Sequence, residues 1–244
     1  RKKERKKERK RKKMDNLNVA VIGLGYVGLT LATVLADLGI DVTGIEIRSD
    51  IVEKTNHGVP HFSENGLEKM LLDVVSKGKL RAANKFSKNG KYQVFIITVG
   101  TPLDKEGNAR IDIIENATRE VASQLEDGGL VILRSTVKVG TSRNIVAPIL
   151  KKTGKKFLLA MCPERTLEGK ALTELRELPQ IIGSDDVNAR DSASKFFGCI
   201  TKSIINVSSF EAAEITKLVD NTYRDVQFAF ANEVASICEL FNVS

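Results

Sequence analysis

The stretch NVAVIGLGYVGLTLATVLADLGIDVTGIE, residues 18–46, decides the fold class of this chain. Its first five residues, Asn18–Ile22, form a short apolar run that predicts a buried strand. The glycine-rich turn GLGYVG follows at residues 23–28, and residues 27–38 have the apolar spacing of a helix that ends at a glycine. A second apolar run at residues 41–47 predicts another strand. This order predicts a βαβ unit with the glycine-rich turn between its first strand and its helix.

The glycine-rich turn has the spacing of a dinucleotide-binding site. Gly23 permits the tight turn, Gly25 lets the backbone approach a pyrophosphate, and Gly28 allows the helix to pack closely on the strand. The N-terminus of the helix offers free N–H groups to the phosphates. Glu46 can accept hydrogen bonds from both ribose hydroxyls, and its charge favours NAD over NADP. The predicted cofactor contacts in this unit are Gly23, Leu24, Gly25, Tyr26, Val27, Gly28 and Glu46.

Short apolar runs alternate with longer amphipathic ones through the rest of the chain. Further strands are predicted near residues 94–99, 130–133, 157–161 and 180–182, and further helices near residues 67–75, 112–125, 142–152 and 186–197. This alternation indicates an α/β fold with a Rossmann-type, doubly wound and mostly parallel sheet. From Phe210 to Ser244 one long helical pattern runs without glycine or proline, and we interpret it as the start of a second, helical unit.

These patterns divide the chain into three expected parts: a basic tail at residues 1–13, a Rossmann domain at residues 14–208, and the truncated start of a central helical domain at residues 209–244. The tail has eleven basic and two acidic residues, a net charge of +9, so the remainder carries −2 of the total of +7. We expect the tail to be disordered. Binding of nucleic acid or of an anionic membrane by the tail is a less favoured alternative, because a block of charge specifies nothing by itself.

Several classes of protein are excluded by what the sequence lacks. It has neither an apolar run long enough to span a membrane nor the apolar core of a secretory signal, so we expect a cytoplasmic protein without a membrane partner. Cys162, Cys199 and Cys238 are too widely spaced for a disulfide framework or a metal site, and we expect reduced thiols. His57 and His61 are expected to be loop residues, and no metal is expected.

Beyond the glycine-rich turn, the sequence resembles the nucleotide-sugar 6-dehydrogenase family, which includes UDP-glucose, GDP-mannose and UDP-N-acetylhexosamine dehydrogenases. The resemblance covers residues 17–243. It rests on GLGYVGL at 23–29, TVGTP at 98–102, STV at 135–137, PER and LEG within 163–169, and KLVDN at 217–221. The segments CPERTLEG and NTYRDVQFAFANE look most like the UDP-N-acetylmannosamine and UDP-N-acetylglucosamine members of the family.

The resemblance implies NAD-dependent oxidation of the C6 hydroxymethyl group of a UDP-sugar, of the UDP-N-acetylhexosamine kind, to a carboxylate in two hydride transfers. It implies that Lys217 stabilises an oxyanion, that Asn221 positions water, and that Glu164 acts as acid and base in hydrolysis, with Thr136 beside them. Lys217 and Asn221 are spaced i, i+4, so they share one helix face. The cofactor contacts implied by the resemblance are Val99, Gly100, Thr101, Pro102, Ser135, Thr136 and Glu168.

One departure from the family concerns its nucleophile, a cysteine in a glycine-rich loop that follows this helix and precedes a UDP-binding domain. The three cysteines here do not match its position, so we expect this chain to be the cofactor-binding part and inactive alone. Two alternatives stay open, a non-catalytic dinucleotide-binding or interaction module and a β-hydroxyacid dehydrogenase. PERTLEG and TPLD speak against the second alternative. The resemblance also implies a homodimer through the helix that begins near Phe210, and it leaves the particular nucleotide sugar undetermined.

Overall fold

The computed structural model describes residues 17–87 and 90–243, and the basic tail predicted at residues 1–13 lies outside them. The described chain is built around an eight-stranded sheet with the order β3-β2-β1-β4-β5-β6-β7-β8. Its strands are β1 (Asn18–Ile22), β2 (Asp41–Ile45), β3 (Leu80–Ala83), β4 (Val94–Ile97), β5 (Gly129–Leu133), β6 (Phe157–Met161), β7 (Gln180–Gly183) and β8 (Ile204–Val207).

Eight helices accompany these strands over the described residues. They are α1 (Tyr26–Asp37), α2 (Ser49–Asn56), α3 (Leu67–Ser76), α4 (Ile111–Gln124), α5 (Ala147–Lys151), α6 (Ala171–Glu177), α7 (Val187–Phe197) and α8 (Phe210–Leu240). A π-helical turn at Ser142–Val146 leads directly into α5.

The sheet is mostly parallel, as predicted. Neighbouring strands are parallel from β3 through to β6, and β7 pairs parallel with β8. The single antiparallel contact in the described sheet joins β6 to β7 through Met161 and Gly183. The predicted Rossmann-type sheet followed by a long helix is therefore confirmed, with one reversal of direction near its end.

Both faces of the sheet are covered, because the inner strands are apolar throughout. In β1, Val19 and Val21 belong to the apolar core on one face, while Ala20 and Ile22 belong to the core on the other face. Successive side chains of a strand point to opposite faces, so such a strand needs a helical layer on each side. The α1 helix supplies the buried centre of the first layer, and α4 contributes to the second.

The prediction was wrong about several short elements. Two strands, β3 and β8, and two helices, α2 and α6, lie where no element was predicted. The predicted strand at 41–47 ends at Ile45 and the one at 94–99 ends at Ile97, because the residues that follow turn into the loops at the edge of the sheet. These loops are the parts that carry the predicted site residues.

The long helix α8 packs on the sheet only near its beginning. Ser209 caps it, its hydroxyl accepting the N–H of Ala212 at 3.2 Å. The first turns contain the buried residues Phe210, Ala213, Glu214 and Lys217. The remaining turns, as far as Leu240, extend away from the sheet with mainly exposed side chains. None of the described helices is both long and apolar enough to cross a membrane.

Candidate functional site

The carboxyl ends of the parallel strands β1, β2, β4, β5 and β6 meet at one edge of the sheet. The chain order reverses between β1 and β4, which are neighbours in the sheet although β2 and β3 intervene in sequence. Such a switch point opens a crevice at the carboxyl edge of a doubly wound sheet. The predicted site residues all follow these strands or lie on helices that pass this edge.

The three glycines of the turn have three different surroundings. Gly23 has a φ of +90°, which the tight turn requires, and it donates its N–H to the carbonyl of Ile45 at 2.8 Å at the end of the β1–β2 pairing. A Cβ on Gly28 would lie 1.9 Å from the carbonyl oxygen of Gly23, so only glycine fits there. A Cβ on Gly25 would meet nothing within 4 Å, so the space beside this exposed glycine is open. The geometry is that of a turn that a pyrophosphate can approach.

Glu46 lies directly after β2 and is turned toward this glycine-rich turn. Its two carboxylate oxygens accept the N–H groups of Leu24 at 2.8 Å and of Arg48 at 3.0 Å. Each oxygen of a carboxylate has a further acceptor position. The side chain is therefore fixed in place and can still accept hydrogen bonds from the two hydroxyls of a ribose.

The loops after β4 and β5 are tied to each other and to the glycine-rich turn. The hydroxyl of Thr98 donates to the carbonyl of Gly23 at 2.7 Å. Ser135 donates to the carbonyl of Val99 at 2.6 Å, and Thr101 donates to the carbonyl of Thr136, also at 2.6 Å. Gly100 and Pro102 lie on the exposed surface of the first loop. These bonds bring the predicted cofactor residues of both loops to the crevice.

The segment after β6 is joined to the glycine-rich turn by Glu64, a residue that the sequence did not single out. Glu64 is buried, and its carboxylate accepts the N–H groups of Gly169 at 2.7 Å and of Ala171 at 3.0 Å. The phenol of Tyr26, the first residue of α1, donates to the same carboxylate. Burial, together with the Glu64 carboxylate, raises the pKa of the Tyr26 phenol above its usual range. Tyr26 therefore keeps its proton and remains a donor.

Arg134 and Glu164 form a buried ion pair beneath this segment. Arg134 is 2% exposed, and its Nε and Nη2 both donate to one oxygen of Glu164, Nε at 3.1 Å. Its Nη1 donates to the side chain of Gln180 at 2.8 Å and to the carbonyl of Cys162 at 3.1 Å. The other oxygen of Glu164 accepts the N–H groups of the next two residues. Cys162 and Gln180 are buried, whereas Arg165 and Thr166, the two residues after Glu164, are half-buried.

This environment fixes the charge state of Glu164. Burial alone would raise the pKa of its carboxyl group, but the charge of Arg134 and the hydrogen bonds to the carboxylate outweigh it and lower the pKa. A carboxylate held in this way is an anion that orients its neighbours. The role of acid and base in hydrolysis, which the resemblance implied, stays a prediction; a lowered pKa favours the anionic form in which a base acts and disfavours the protonated form in which an acid acts.

The long helix α8 brings Lys217 and Asn221 to the same edge. Glu214, one turn before Lys217, is 1% exposed and accepts the N–H groups of Gly140 at 2.6 Å and Ser142 at 2.8 Å. These donors lie at the start of the π-helical turn that follows β5. Lys217 is 9% exposed, and burial lowers the pKa of its ammonium group, against the opposing charge of Glu164. Asn221 is half-buried one turn further on.

The three cysteines lie in three different surroundings. Cys162 is fully buried, and burial raises the pKa of its thiol to about 12. The thiol of Cys199, just after the end of α7, donates to the carbonyl of Phe196 at 2.7 Å. Cys238 lies near the far end of α8. A reactive thiol needs access and a thiolate at working pH, which the buried Cys162 lacks, and Cys238 lies far along α8 from the crevice.

The two histidines lie in the loop between α2 and α3. His57 contacts the carbonyl of Glu53 at 2.8 Å through Nδ1, and His61 packs edge-on against Phe62 at 4.8 Å. Burial lowers the pKa of His61. Among the residues described, no group of three His, Cys, Asp or Glu side chains is arranged to hold a metal ion.

Sequence reasoning missed Glu64, Arg134, Gln180 and Glu214. Arg134 directly follows a predicted strand, and a charged residue at such a position is a usable signal. Glu64 and Glu214 are carboxylates whose partners lie 105 and 74 residues away in the sequence, so no local pattern identifies them. Glu168, by contrast, was predicted and lies exposed on the segment that Glu64 holds.

Two models of one protein family match the chain. The NAD binding domain of the UDP-glucose/GDP-mannose dehydrogenase family matches residues 17–201, and the central domain of that family matches residues 211–244. A UDP-N-acetyl-D-mannosamine dehydrogenase of Pyrococcus horikoshii is 36% identical over 232 residues, which cover 93% of this chain and 55% of the relative. The chain thus spans about half the length of the curated relatives it matches.

Solved structures are similar over the same part of the chain. A UDP-D-ManNAc dehydrogenase from Pyrococcus horikoshii has a TM-score of 0.87 at 36% identity, covering 93% of this chain and 55% of that one. A ternary complex of GDP-mannose dehydrogenase from Pseudomonas aeruginosa has a TM-score of 0.85 at 29% identity, covering 93% of this chain and 54% of that one.

Proposed function

Because this chain belongs to the UDP-glucose/GDP-mannose dehydrogenase family, we propose that it supplies the cofactor-binding part of an enzyme that oxidises the C6 hydroxymethyl group of a UDP-sugar to a carboxylate. Relatives that act on N-acetylated sugars favour a UDP-N-acetylhexosamine as the substrate. The observation that carries the proposal is the position of Lys217, whose buried side chain lies beside Glu164 at the same edge as the glycine-rich turn.

NAD is the cofactor of the matched domain, and the residues of the crevice fit it. The open space at Gly25 admits a pyrophosphate, and Gly25 directly precedes α1, at the end of a helix whose first N–H groups are available to an anion. Glu46 is held with free acceptor positions for the ribose hydroxyls. When bound, NAD accepts a hydride from the substrate carbon. A carboxylate at Glu46 repels a 2′-phosphate, which supports NAD over NADP.

Lys217 supplies a positive charge at the part of the crevice where the substrate is proposed to bind. A half-desolvated ammonium group stabilises an oxyanion more strongly than a solvated one, because its charge is less screened. Glu164 remains anionic beside Arg134, and its charge offsets only part of the effect of burial on Lys217. Asn221, one turn along the same helix face, is placed to hold water or substrate, and Thr136 borders the crevice from the loop after β5.

The oxidation of an alcohol to an acid passes through an aldehyde, which the family's cysteine nucleophile binds. In this proposal that nucleophile is none of the three cysteines described, since Cys162 is buried and the other two are remote from the crevice. The cofactor-binding part alone is then inactive. A non-catalytic dinucleotide-binding module remains the competing hypothesis. The family match decides against the β-hydroxyacid dehydrogenase alternative.

The exposed part of α8 is proposed to mediate a homodimer. Apolar residues recur there at intervals of three and four, at Val219, Tyr223, Val226, Phe230, Val234, Ile237 and Phe241, each at least 41% exposed. This spacing produces one continuous apolar stripe along a helix. A stripe of this kind is typical of a helix that packs against another helix.

Calorimetric titration of NAD and of NADP into the purified chain tests the cofactor assignment. Replacing Glu46 with Ala removes the ribose acceptor and two hydrogen bonds, so we expect NAD binding to weaken by about tenfold or more. The exposed Glu53→Gln variant is the matched control and should bind as the unaltered chain does. Failure of the folded, unaltered chain to bind either nucleotide would contradict the proposed function.

A further inference from the structure

The segment at residues 164–171 is held by carboxylates that accept its backbone N–H groups. Glu164 accepts the N–H groups of the two residues after it, and Glu174 accepts that of Leu167 at 2.7 Å. Glu64 accepts those of Gly169 and Ala171. Glu168 lies between these fixed points with its own side chain exposed. The backbone on both sides of Glu168 is therefore anchored, and its carboxylate is free to face a ligand.

Glu64 differs from the other two carboxylates because it comes from a distant part of the chain and reaches the cofactor turn. It lies in the loop between α2 and α3, is 8% exposed, and receives the phenol of Tyr26 on the oxygen that also accepts the N–H of Gly169. The Tyr26 phenol lies 3.3 Å from the carbonyl of Leu167 as well. The ring of Tyr26 packs against Phe62, with 4.9 Å between the ring centroids. Tyr26 and Glu64 thus connect both neighbours of Glu168 to the first turn of α1.

We propose that Glu64 is a positioning residue that, through Tyr26 and the backbone on either side of Glu168, sets the place of the Glu168 carboxylate at the NAD site. The inference rests on the proposed function together with the cofactor contact at Glu168 that the family resemblance implies. Glu64 itself is buried and bonds to Tyr26 and to the backbone beside Glu168, so in this proposal its effect on binding passes through Glu168.

The chemistry of the contact makes Glu64→Gln an informative variant. Glutamine keeps the shape of glutamate but has one acceptor oxygen and one amide nitrogen that can only donate. It cannot accept the phenol and both N–H groups with correct geometry, so at least one of these donors loses its partner. Tyr26→Phe tests the same connection from the other end, because it removes the phenol and leaves the ring against Phe62.

The experiment is a double-mutant cycle on NAD affinity with Glu64→Gln, Glu168→Gln and the variant that carries both. We expect each single variant to weaken NAD binding by about tenfold and the combined variant to show no further loss, because Glu64 acts through Glu168. Tyr26→Phe should weaken binding in the same direction. The exposed Glu68→Gln, on the neighbouring helix α3, is the matched control and should leave the affinity unchanged. Thermal unfolding of every variant establishes that it is folded.

The outcomes separate the inference from the function it rests on. Equal affinity of Glu64→Gln and the unaltered chain, or losses that multiply in the combined variant, would overturn the positioning role. A merely structural Glu64 would lower the unfolding temperature and leave the effect of Glu168→Gln intact in its background. An unaltered chain that is folded but does not bind NAD removes the proposed function, and the inference with it.

Discussion

Gly25 and Gly28 belong to the same turn, but only one of them is required by the protein itself. A methyl group on Gly28 would collide with the carbonyl of Gly23, whereas Gly25 has a φ of −64°, which alanine adopts, and open space around it. The fold therefore leaves room for a methyl group at Gly25 and none at Gly28, and the open space at Gly25 lies where the proposed pyrophosphate would approach.

Alanine substitutions at these two glycines should have opposite effects. We expect Gly28→Ala to destabilise the protein by about 1–3 kcal/mol or more, because the turn must open to accept the methyl group. Gly25→Ala should leave the unfolding temperature nearly unchanged and weaken NAD binding by at least about tenfold, because its methyl group occupies the path of the pyrophosphate. Thermal unfolding and NAD titration of both variants measure this. Normal NAD affinity in Gly25→Ala would contradict the assignment of the open space.

Because of Lys217, the stability of the protein should change with pH in the alkaline range. Burial lowers the pKa of Lys217 in the folded state, so the unfolded chain binds this proton more tightly. The protonated residue therefore destabilises the fold at pH values below the lowered pKa. This cost is relieved as pH rises from that value toward the unfolded pKa of about 10.4. We expect Lys217→Met to unfold at a higher temperature than the unaltered chain at pH 7.

The difference in unfolding temperature between Lys217→Met and the unaltered chain should shrink as the pH rises through the same window. Thermal unfolding at a series of pH values measures this difference. The exposed Lys195→Met on α7 is the control and should show no such pH dependence. A Lys217→Met variant that is less stable than the unaltered chain at pH 7 would mean that Lys217 is paired within the fold.

At the scale of single residues, the sequence predicted the site residues whose role depends on local geometry. The three glycines and Glu46 follow one another within a single βαβ unit, so their spacing alone indicates what they do. Arg134 and Glu164 interact across 30 residues, and Glu64 and Gly169 across 105. Such pairs are created by the packing of distant segments, and a single sequence carries no signal for them.

Among the secondary-structure elements, α8 is attached to the sheet by a few side chains at its beginning. Glu214 accepts two N–H groups at the start of the π-helical turn, where the unpaired donors of a helix N-terminus favour a negative charge. This contact sets the position from which Lys217 and Asn221 extend. The orientation of Lys217 and Asn221 therefore depends on the contacts at the start of α8, which include the buried Glu214 carboxylate and the pairing of Arg143 with Glu211.

Replacing Glu214 with Gln should destabilise the fold by about 1.5–3 kcal/mol, since glutamine can accept only one of the two N–H groups on an oxygen and leaves the other buried without a partner. Chemical denaturation measures the change in the free energy of unfolding. Glu233→Gln, on the exposed part of the same helix, is the control and should change it by less than about 0.5 kcal/mol. Equal stability of the two variants would contradict the anchoring role.

The elements that the sequence predicted correctly are those with long or strongly apolar patterns, such as β1, β4, β5 and α8. The elements it missed are short, and their residues are mixed. β3 (Leu80–Ala83) contains the exposed Arg81 at the edge of the sheet, and β8 (Ile204–Val207) is mostly accessible. An edge strand is defined by pairing with its neighbour rather than by its own apolar pattern.

The molecule as a whole has two unlike surfaces, a crevice built for a cofactor and a helix with an apolar stripe. The alternation of strands and helices was sufficient to predict the doubly wound sheet, because parallel strands require helical crossovers. The position of the reversed strands was not predictable, since β7 joins the sheet through a single pair of residues.

A charge placed on the apolar stripe should reduce self-association of the protein. We expect Phe230→Lys to weaken the association by about tenfold or more, because large aromatic residues at the centre of a helical interface contribute most to its affinity. Asn232→Lys adds the same charge on the opposite side of α8 and should have little effect. Sedimentation over a range of concentrations measures both, and NAD affinity should be unchanged in each. Equal association of the two variants would exclude the stripe as the contact surface.

β7 and β8 run opposite to the other six strands of the described sheet. A helix that follows a strand across a short turn runs antiparallel to that strand, so α8 runs in the direction of β1–β6 and passes the crevice before it leaves the sheet. Which side chains of α8 face the crevice depends on the rotation of the helix about its own axis. One residue inserted between Glu214 and Lys217 would rotate everything beyond it by about 100°. The contacts of the first turns of α8, those of Glu214 among them, therefore fix the rotation of Lys217, of Asn221 and of the apolar stripe together, and none of these can be turned without turning the others.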